Sequence, residues 1–358
     1  TLTWEFEAQF THDLLQFCFG MLKNNESVSI DDITLVKEGT EENLVANGDF
    51  AQNATAGWGS NWQGPTFKCE KIGGGIPLSD KEKKEVLTTA LDKWIAGMME
   101  ATEGKVKAWD VVNEALSGAD TNDDGKYDLQ SATRGTAPDD DIPNSFYWQD
   151  YLGDLDYVRT AVASARKHFE ENGGNPEELK LFVNDYNLES DWDQNGKLKS
   201  LIQWIKDWEA DGVTKIDGIG SQMHISCYGN PQTQESKKNA IVNMLKLMAD
   251  SRKLVRISEL DMGYVDETGK SVNTNDMTEE QHKQMRDLYE FVIKKYFEII
   301  PEDQQWGICQ WCATDSPANS GWRAGLPVGL WDLDYYRKHT YGGFAAGLGA
   351  PEYWNDAK

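Results

Sequence analysis

The stretch Trp109-Asp-Val-Val-Asn-Glu114 decides the fold class, and a second stretch, Ile257-Ser-Glu-Leu-Asp261, repeats its form. Each is an apolar, strand-like run that ends in a carboxylate. Helices and strands alternate between the two runs, and this alternation implies right-handed βαβ units around a parallel sheet. The two carboxylates are therefore expected to face each other across one cleft.

The chain from Ile76 onward predicts a regular alternation of elements. Helices are predicted at 79–98, 158–169, 198–208, 241–248, 278–299 and near Tyr341, with capping boxes opening the first and the fifth. Strands are predicted at 105–112, 179–183, 216–224, 254–260 and 306–313. Polar side chains follow all five strands, at the ends where a parallel barrel holds its chemistry. They are Asn113, Glu114, Asn184, Asp185, Gln222, His224, Glu259, Asp261, Trp311 and Asp315.

Length and charge narrow the class of protein. The 358 residues allow one large domain, or one domain plus a small module, and the formal net charge is −25. Such an excess of acid argues against nucleic acid and against an anionic membrane surface as partners. No apolar run is long enough to predict insertion in a membrane. The 14 Trp residues offer flat faces that suit sugar rings, although most are expected in the core.

Five cysteines show no disulfide spacing. Cys309 and Cys312 form a C-x-x-C pattern inside a predicted strand, where residues three apart point to opposite faces. A structural role is therefore favoured over redox or zinc chemistry.

Residues 1–72 differ from the rest, because their apolar residues alternate with period two. That pattern is typical of a half-solvated antiparallel sheet. The glycines at 73–75 form an abrupt break, so three parts are predicted: a β-rich segment at 1–72, a linker at 73–75 and an α/β region at 76–358.

The α/β region resembles the glycoside hydrolase family 10 endo-β-1,4-xylanases over roughly residues 76–348. The matching segments are 109–114, 184–187, 217–224, 257–261 and 331–335. The resemblance implies a (β/α)8 barrel of the TIM type, xylan and xylo-oligosaccharides as partners, and no required cofactor. It also implies a secreted, periplasmic or cell-surface protein, whose signal peptide is not visible in this chain.

The resemblance also implies roles for individual residues. Glu114 would be the general acid/base and Glu259 the nucleophile. Asn113 would hold the sugar's 2-hydroxyl, and His224 would hydrogen-bond Glu259. The remaining substrate-binding candidates are Asn184, Tyr186, Gln222, Trp311 and Trp322, of which the two Trp would wall the subsite where the bond breaks.

Elementary chemistry agrees with the implied pair. Retaining hydrolysis uses two carboxyl groups roughly 5 to 5.5 Å apart, one protonated and one ionised. A like charge that close favours the proton on one of them. Glu259 would attack the anomeric carbon while Glu114 protonates the leaving oxygen and later activates water.

The barrel of the family has eight strands, but this chain shows only strands 4–8. Before them, 28–36 resembles the last strand of a β-sandwich carbohydrate-binding module, and 43–50 resembles the start of another. We therefore expect a fragment that begins inside a module insertion, with weak or absent activity unless a partner or another segment completes the barrel. The alternative is that residues 1–36 supply three replacement strands.

One acidic loop has the spacing of a calcium site: Asp120, Asn122, Asp124 and Asp128. The usual bidentate Glu is missing, and a solvated acidic loop is the other interpretation. Two other functions also stay open, namely a related barrel β-glucanase and a non-catalytic xylan-binding fragment.

Overall fold

The computed structural model describes residues 32–40, 42–50, 78–139, 142 and 145–351. The chain divides into two units, residues 1–77 and 78–358. In the described part of the first unit, Val36 and Asn43 form an isolated antiparallel bridge. The predicted strands before residue 32 and the break at 73–75 lie outside the described residues, so the β-sandwich interpretation of 1–72 stays a prediction.

The second unit is built on a parallel sheet flanked by helices, as in a (β/α)8 barrel-type fold. Every pairing between its strands is parallel. The strands are β1 (Ala108–Asn113), β2 (Lys180–Asp185), β3 (Gly218–Ser221), β4 (His224–Tyr228), β5 (Leu254–Val265) and β6 (Gln305–Gln310).

One position in the sheet is shared by two short strands. β3 pairs with the first part of β5 and β4 with its second part. The single strand predicted at 216–224 is therefore wrong: it ends at Ser221, and a new strand begins at His224. The cause is local, since Met223 between them has a left-handed backbone (φ +60°), which a continuous strand does not allow.

All the predicted helices are present. Ser79 and Thr278 each complete a capping box, with Glu82 and Gln281 as the reciprocal partners. The helices are α1 (Asp80–Thr102), α2 (Gln149–Leu152), α3 (Asp156–Glu171), α4 (Gly196–Glu209), α5 (Pro231–Asp250), α6 (Glu279–Ile299) and α7 (His339–Gly347).

The core lies between the sheet and the helices, and its largest fully buried side chains come from α3, α4, α6 and β2. They are Phe169, Phe182, Trp208, Tyr289 and Tyr296. Among the described residues, β1 and β6 each pair with one strand only. Trp306 of the edge strand β6 is 40% exposed.

Candidate active site

The parallel register brings the polar strand ends together. Asn113 at the end of β1 lies opposite Asn184 of β2, and His224 at the start of β4 lies opposite Asp261 of β5. Parallel strands place all their carboxyl ends at one edge, so residues distant in sequence meet there.

Glu114 sits directly after β1 on a left-handed backbone, with φ +56°. A non-glycine residue holds such a conformation only where its surroundings fix it. Its N–H donates to the Asn184 carbonyl at 2.8 Å, and its own carbonyl accepts from Gln130 Nε2 at 2.7 Å. The side chain is held as well: Oε1 accepts from Gln222 Nε2 at 2.7 Å and from Asn113 Nδ2 at 3.3 Å.

Glu259 lies within β5 and is held at both oxygens. Oε1 accepts from Asn184 Nδ2 at 2.9 Å, and Oε2 lies 3.2 Å from His224 Nε2. Its side chain is 16% exposed, so the carboxylate is largely shielded but open on one side.

The Asn184 amide connects the two glutamates. Its Nδ2 donates to Glu259 and also to Asn113 Oδ1 at 2.8 Å, and Asn113 in turn donates to Glu114. Its Oδ1 accepts from Ser258 Oγ at 2.6 Å. The neighbouring strand makes room for this amide, because a Cβ at Gly220 would lie 2.4 Å from Asn184 Oδ1.

Asp261 completes the cluster, although the sequence argument did not assign it a role. It is fully buried, and its Oδ1 lies 3.0 Å from His224 Nδ1. His224 therefore lies between two carboxyl groups, with Nδ1 towards Asp261 and Nε2 towards Glu259. The available signal was its place at the end of the 257–261 segment, two residues beyond Glu259 and so on the same side of the strand.

Two Trp side chains border His224. The Trp322 ring centroid lies 4.6 Å from that of His224, and the Trp311 centroid lies 5.8 Å away in an edge-on arrangement. A hydrogen bond fixes the orientation of the Trp322 ring, since its Nε1 donates to Asp261 Oδ2 at 2.7 Å. The rings are 53% exposed for Trp311 and 40% for Trp322, which leaves apolar surface free beside the carboxylates.

Tyr186 lies beside a buried ion pair. The Lys197 ammonium sits 3.4 Å from the centre of the Tyr186 ring and 2.7 Å from Asp185 Oδ1. Burial raises the pKa of Asp185, and the attraction to Lys197 partly offsets that rise. The pair fixes the chain directly after β2, where Tyr186 emerges.

Comparison with known proteins identifies the family of the chain. The model of glycosyl hydrolase family 10 matches residues 58–346. The chain belongs to glycosyl hydrolase family 10. It is 27% identical over 326 residues to endo-beta-1,4-xylanase Xyn10C of Cellvibrio japonicus, covering 86% of this chain and 45% of the relative. It is 28% identical over 237 residues to endo-1,4-beta-xylanase A of Halalkalibacterium halodurans, covering 65% of this chain and 50% of the relative.

Solved xylanase structures also match. Native xylanase10C from Cellvibrio japonicus aligns with a TM-score of 0.56 at 25% identity, covering 75% of this chain and 52% of that one. Xylanase B from Clostridium stercorarium F9 supports the fold alone, with a TM-score of 0.57 at 22% identity and coverage of 76% and 69%. The chain thus spans about half the length of these two curated relatives.

The acidic loop of this family 10 chain closes on itself. Asp120 accepts from the backbone amides four and five residues on, at 3.2 and 2.8 Å, and Asn122 and Asp124 each accept from an amide two residues on. Asp128 accepts from Thr121 N–H and Oγ1. In the part of the chain that the structure describes, no group of three His, Cys, Asp or Glu side chains is placed to hold a metal ion. These hydrogen bonds close the turn, and calcium binding at this loop stays a prediction.

Two further predictions from the sequence were a structural role for Cys309 and Cys312 and no insertion in a membrane. Cys309 and Cys312 are both free thiols: Cys309 is exposed, whereas Cys312 is half-buried with its Sγ 3.8 Å from Asp261 Oδ2. Within the described ranges, no helix has the length and apolar character needed to cross a membrane.

Proposed function

We propose that this family 10 chain carries the catalytic centre of a retaining endo-β-1,4-xylanase, with Glu259 as nucleophile and Glu114 as acid/base. The supporting observation is the amide link between the two glutamates, through Asn113 and Asn184. Two carboxylates held at one strand edge but in different hydrogen-bond environments are what two-step glycoside hydrolysis requires.

The two environments favour different roles. Glu259 accepts an amide N–H at one oxygen and faces the His224 imidazole at the other, so both of its oxygens are held in place, as an attacking group requires. Glu114 accepts from the side-chain amides of Gln222 and Asn113, both at Oε1. Its second oxygen is available to share a proton with the leaving group.

In the proposed reaction, Glu259 attacks the anomeric carbon while Glu114 donates its proton to the departing oxygen. A covalent glycosyl-enzyme forms, and Glu114 then removes a proton from the attacking water. Asn113 lies beside Asn184 and is proposed to hold the 2-hydroxyl. Trp311 and Trp322 are proposed to wall the subsite, with Gln222 keeping Glu114 oriented.

The substrate class follows from the relatives and from the exposed indole surface. Both relatives described above are endo-1,4-β-xylanases by name. A polymeric substrate also favours a site of action outside the cytoplasm, so we propose a secreted, periplasmic or cell-surface location.

The fragment interpretation remains part of the proposal. Among the described residues β1 and β6 each pair with one strand only, and exposed parallel edges are unfavourable in isolation. We therefore propose that this chain alone turns over xylan weakly or not at all, and that further barrel strands restore the rate.

The test is release of reducing ends from xylan and, separately, from barley glucan. Glu114→Ala and Glu259→Ala should each abolish the release, and Glu302→Ala, an exposed glutamate after α6, is the matched control. Retained activity in both site variants would refute the assignment. Faster hydrolysis of glucan would favour the β-glucanase alternative, and binding of xylo-oligosaccharide without hydrolysis in any variant would favour the binding fragment.

A further inference from the structure

Arg323 follows Trp322 directly and contacts two strands of the site. Its Nη1 donates to the Ile225 carbonyl at 2.7 Å, and its Nη2 donates to the His224 carbonyl at 2.8 Å. Nη1 also lies 3.3 Å from Asp261 Oδ1. The side chain is 18% exposed, and its backbone is left-handed with φ +45°. This conformation persists only where surrounding contacts maintain it.

These contacts meet at Asp261, the acid beside the His224 ring. Asp261 Oδ1 receives both the Arg323 guanidinium and His224 Nδ1, while Asp261 Oδ2 receives the Trp322 indole N–H. Two neighbouring residues thus occupy both oxygens of one fully buried carboxylate. A buried carboxylate needs such charge compensation and hydrogen bonding to stay ionised.

The Arg323 guanidinium also holds the backbone of His224, the residue whose ring contacts Asp261. It binds the backbone carbonyl of His224 while compensating the carboxylate that the His224 ring meets, so backbone and ring are held from one point. Only a planar fork with several donors can reach two carbonyls and a carboxylate together. An ammonium group supplies the charge but not that geometry.

We propose that Arg323 is a positioning residue for the nucleophile: it holds Asp261 and the start of β4 so that His224 keeps Glu259 aligned with the anomeric carbon. The proposal deepens the proposed function and rests on Glu259 being the nucleophile. It also implies that the Trp322 wall and the Glu259 support move as one unit, because adjacent residues anchor both to Asp261.

The test uses a fluorinated substrate analogue, 2,4-dinitrophenyl 2-deoxy-2-fluoro-β-xylobioside. Its activated phenolate leaves without help from an acid, so the rate of covalent labelling at Glu259, followed by mass spectrometry, reports on nucleophile alignment. Arg323→Gln should label about 10- to 100-fold more slowly than the unmodified chain, as expected for a misplaced reacting group. Arg323→Lys should also label more slowly, because it lacks the fork.

Two controls separate positioning from general damage. Arg134→Lys alters another guanidinium–carboxylate pair, with Asp154, outside the cluster, and should label at the unmodified rate. Affinity of Arg323→Gln for xylotetraose, measured by calorimetry, should stay within about twofold. Labelling of Arg323→Gln at the unmodified rate would overturn the proposal, and so would a proportional loss of labelling and of affinity.

A last readout keeps this inference distinct from the proposed function. If the unmodified chain is not labelled at all, the chain alone is inactive, which the fragment interpretation expects and which leaves the role of Arg323 to a second measurement. The ¹⁵N resonances of the His224 ring then decide the role of Arg323. They should shift in Arg323→Gln and stay in place in Arg134→Lys, and unchanged resonances in Arg323→Gln would overturn the proposal.

Discussion

Replacement of Lys197 by Met should destabilise the fold strongly and in a pH-dependent manner. Lys197 and Asp185 are 5% and 0% exposed at their side chains, and their charged atoms lie 2.7 Å apart. The Lys197→Met variant keeps the aliphatic stem but leaves the buried carboxylate without its cation. Asp185 would retain only the backbone N–H groups of Leu116 and Tyr186.

The expected loss is about 3 kcal/mol in the free energy of unfolding at neutral pH. Removal of one partner of a buried ion pair costs about 3 to 5 kcal/mol, and the two retained N–H bonds place this case near the lower end. For a unit of this size, about 3 kcal/mol corresponds to a fall in Tm on the order of 10 °C.

The pH dependence follows from the carboxyl group. Burial already raises the pKa of Asp185, and loss of Lys197 should raise it further. The folded variant then holds a proton that the unfolded chain has released, so its stability falls as pH rises through the window above the ordinary value of an aspartate. The deficit should therefore be largest at neutral pH and shrink on acidification.

Thermal and urea unfolding at several pH values measure this effect. The matched control is Lys237→Met, whose partner Asp191 is 2.6 Å away at a site where the two side chains are 30% and 21% exposed. That variant should lose less than about 1 kcal/mol. Equal losses in the two variants, or a Lys197→Met deficit that grows on acidification, would refute the reasoning.

Three further outcomes are expected. Gly220→Ala places a Cβ against the Asn184 amide, so labelling of the nucleophile should slow while the circular dichroism spectrum stays the same; normal labelling would contradict the close contact. Burial lowers the pKa of both His282 and His339 in the folded chain. As the pH falls below about 6.5, these two side chains therefore bind protons in the unfolded chain before they do so in the folded one, and the free energy of unfolding declines. Melts of a variant with both replaced by Gln should show a flatter decline, and an unaltered slope would count against this cause. Burial raises the pKa of Cys227 to about 12 and that of Cys312 to about 11, whereas Cys309 is exposed. Iodoacetamide near neutral pH should therefore modify Cys309 before Cys227 and Cys312, and peptide mapping that shows the opposite order would contradict this expectation.

The parallel sheet and the strand-end cluster could be predicted because both follow from local pattern. The apolar run ending in Glu114 predicts a strand end, and parallel strands bring such ends together. The strand end predicted at residue 260 was wrong, since β5 continues past Glu259 to Val265. The split at Met223 could not be predicted, since a left-handed Met is imposed by tertiary contacts and leaves no mark in apolar periodicity.

Long-range partners were the other limit of prediction. The sequence pattern predicted Asp261 only as a polar residue at the end of a strand. Its bonds to His224 and Trp322 join residues 37 and 61 positions away. The Arg323 contacts bridge 98 and 99 positions. Spacing alone does not reveal such pairs.

The amide link between the glutamates has a consequence for folding. Asn184 reaches Asn113 across 71 positions and Glu259 across 75, so the link joins three segments that are far apart in the sequence. Contacts between remote segments form late, after the entropy of closing long loops has been overcome. A ligand specific for the assembled cluster would therefore recognise only chains that have finished folding, and it could serve as a conformational probe of maturation.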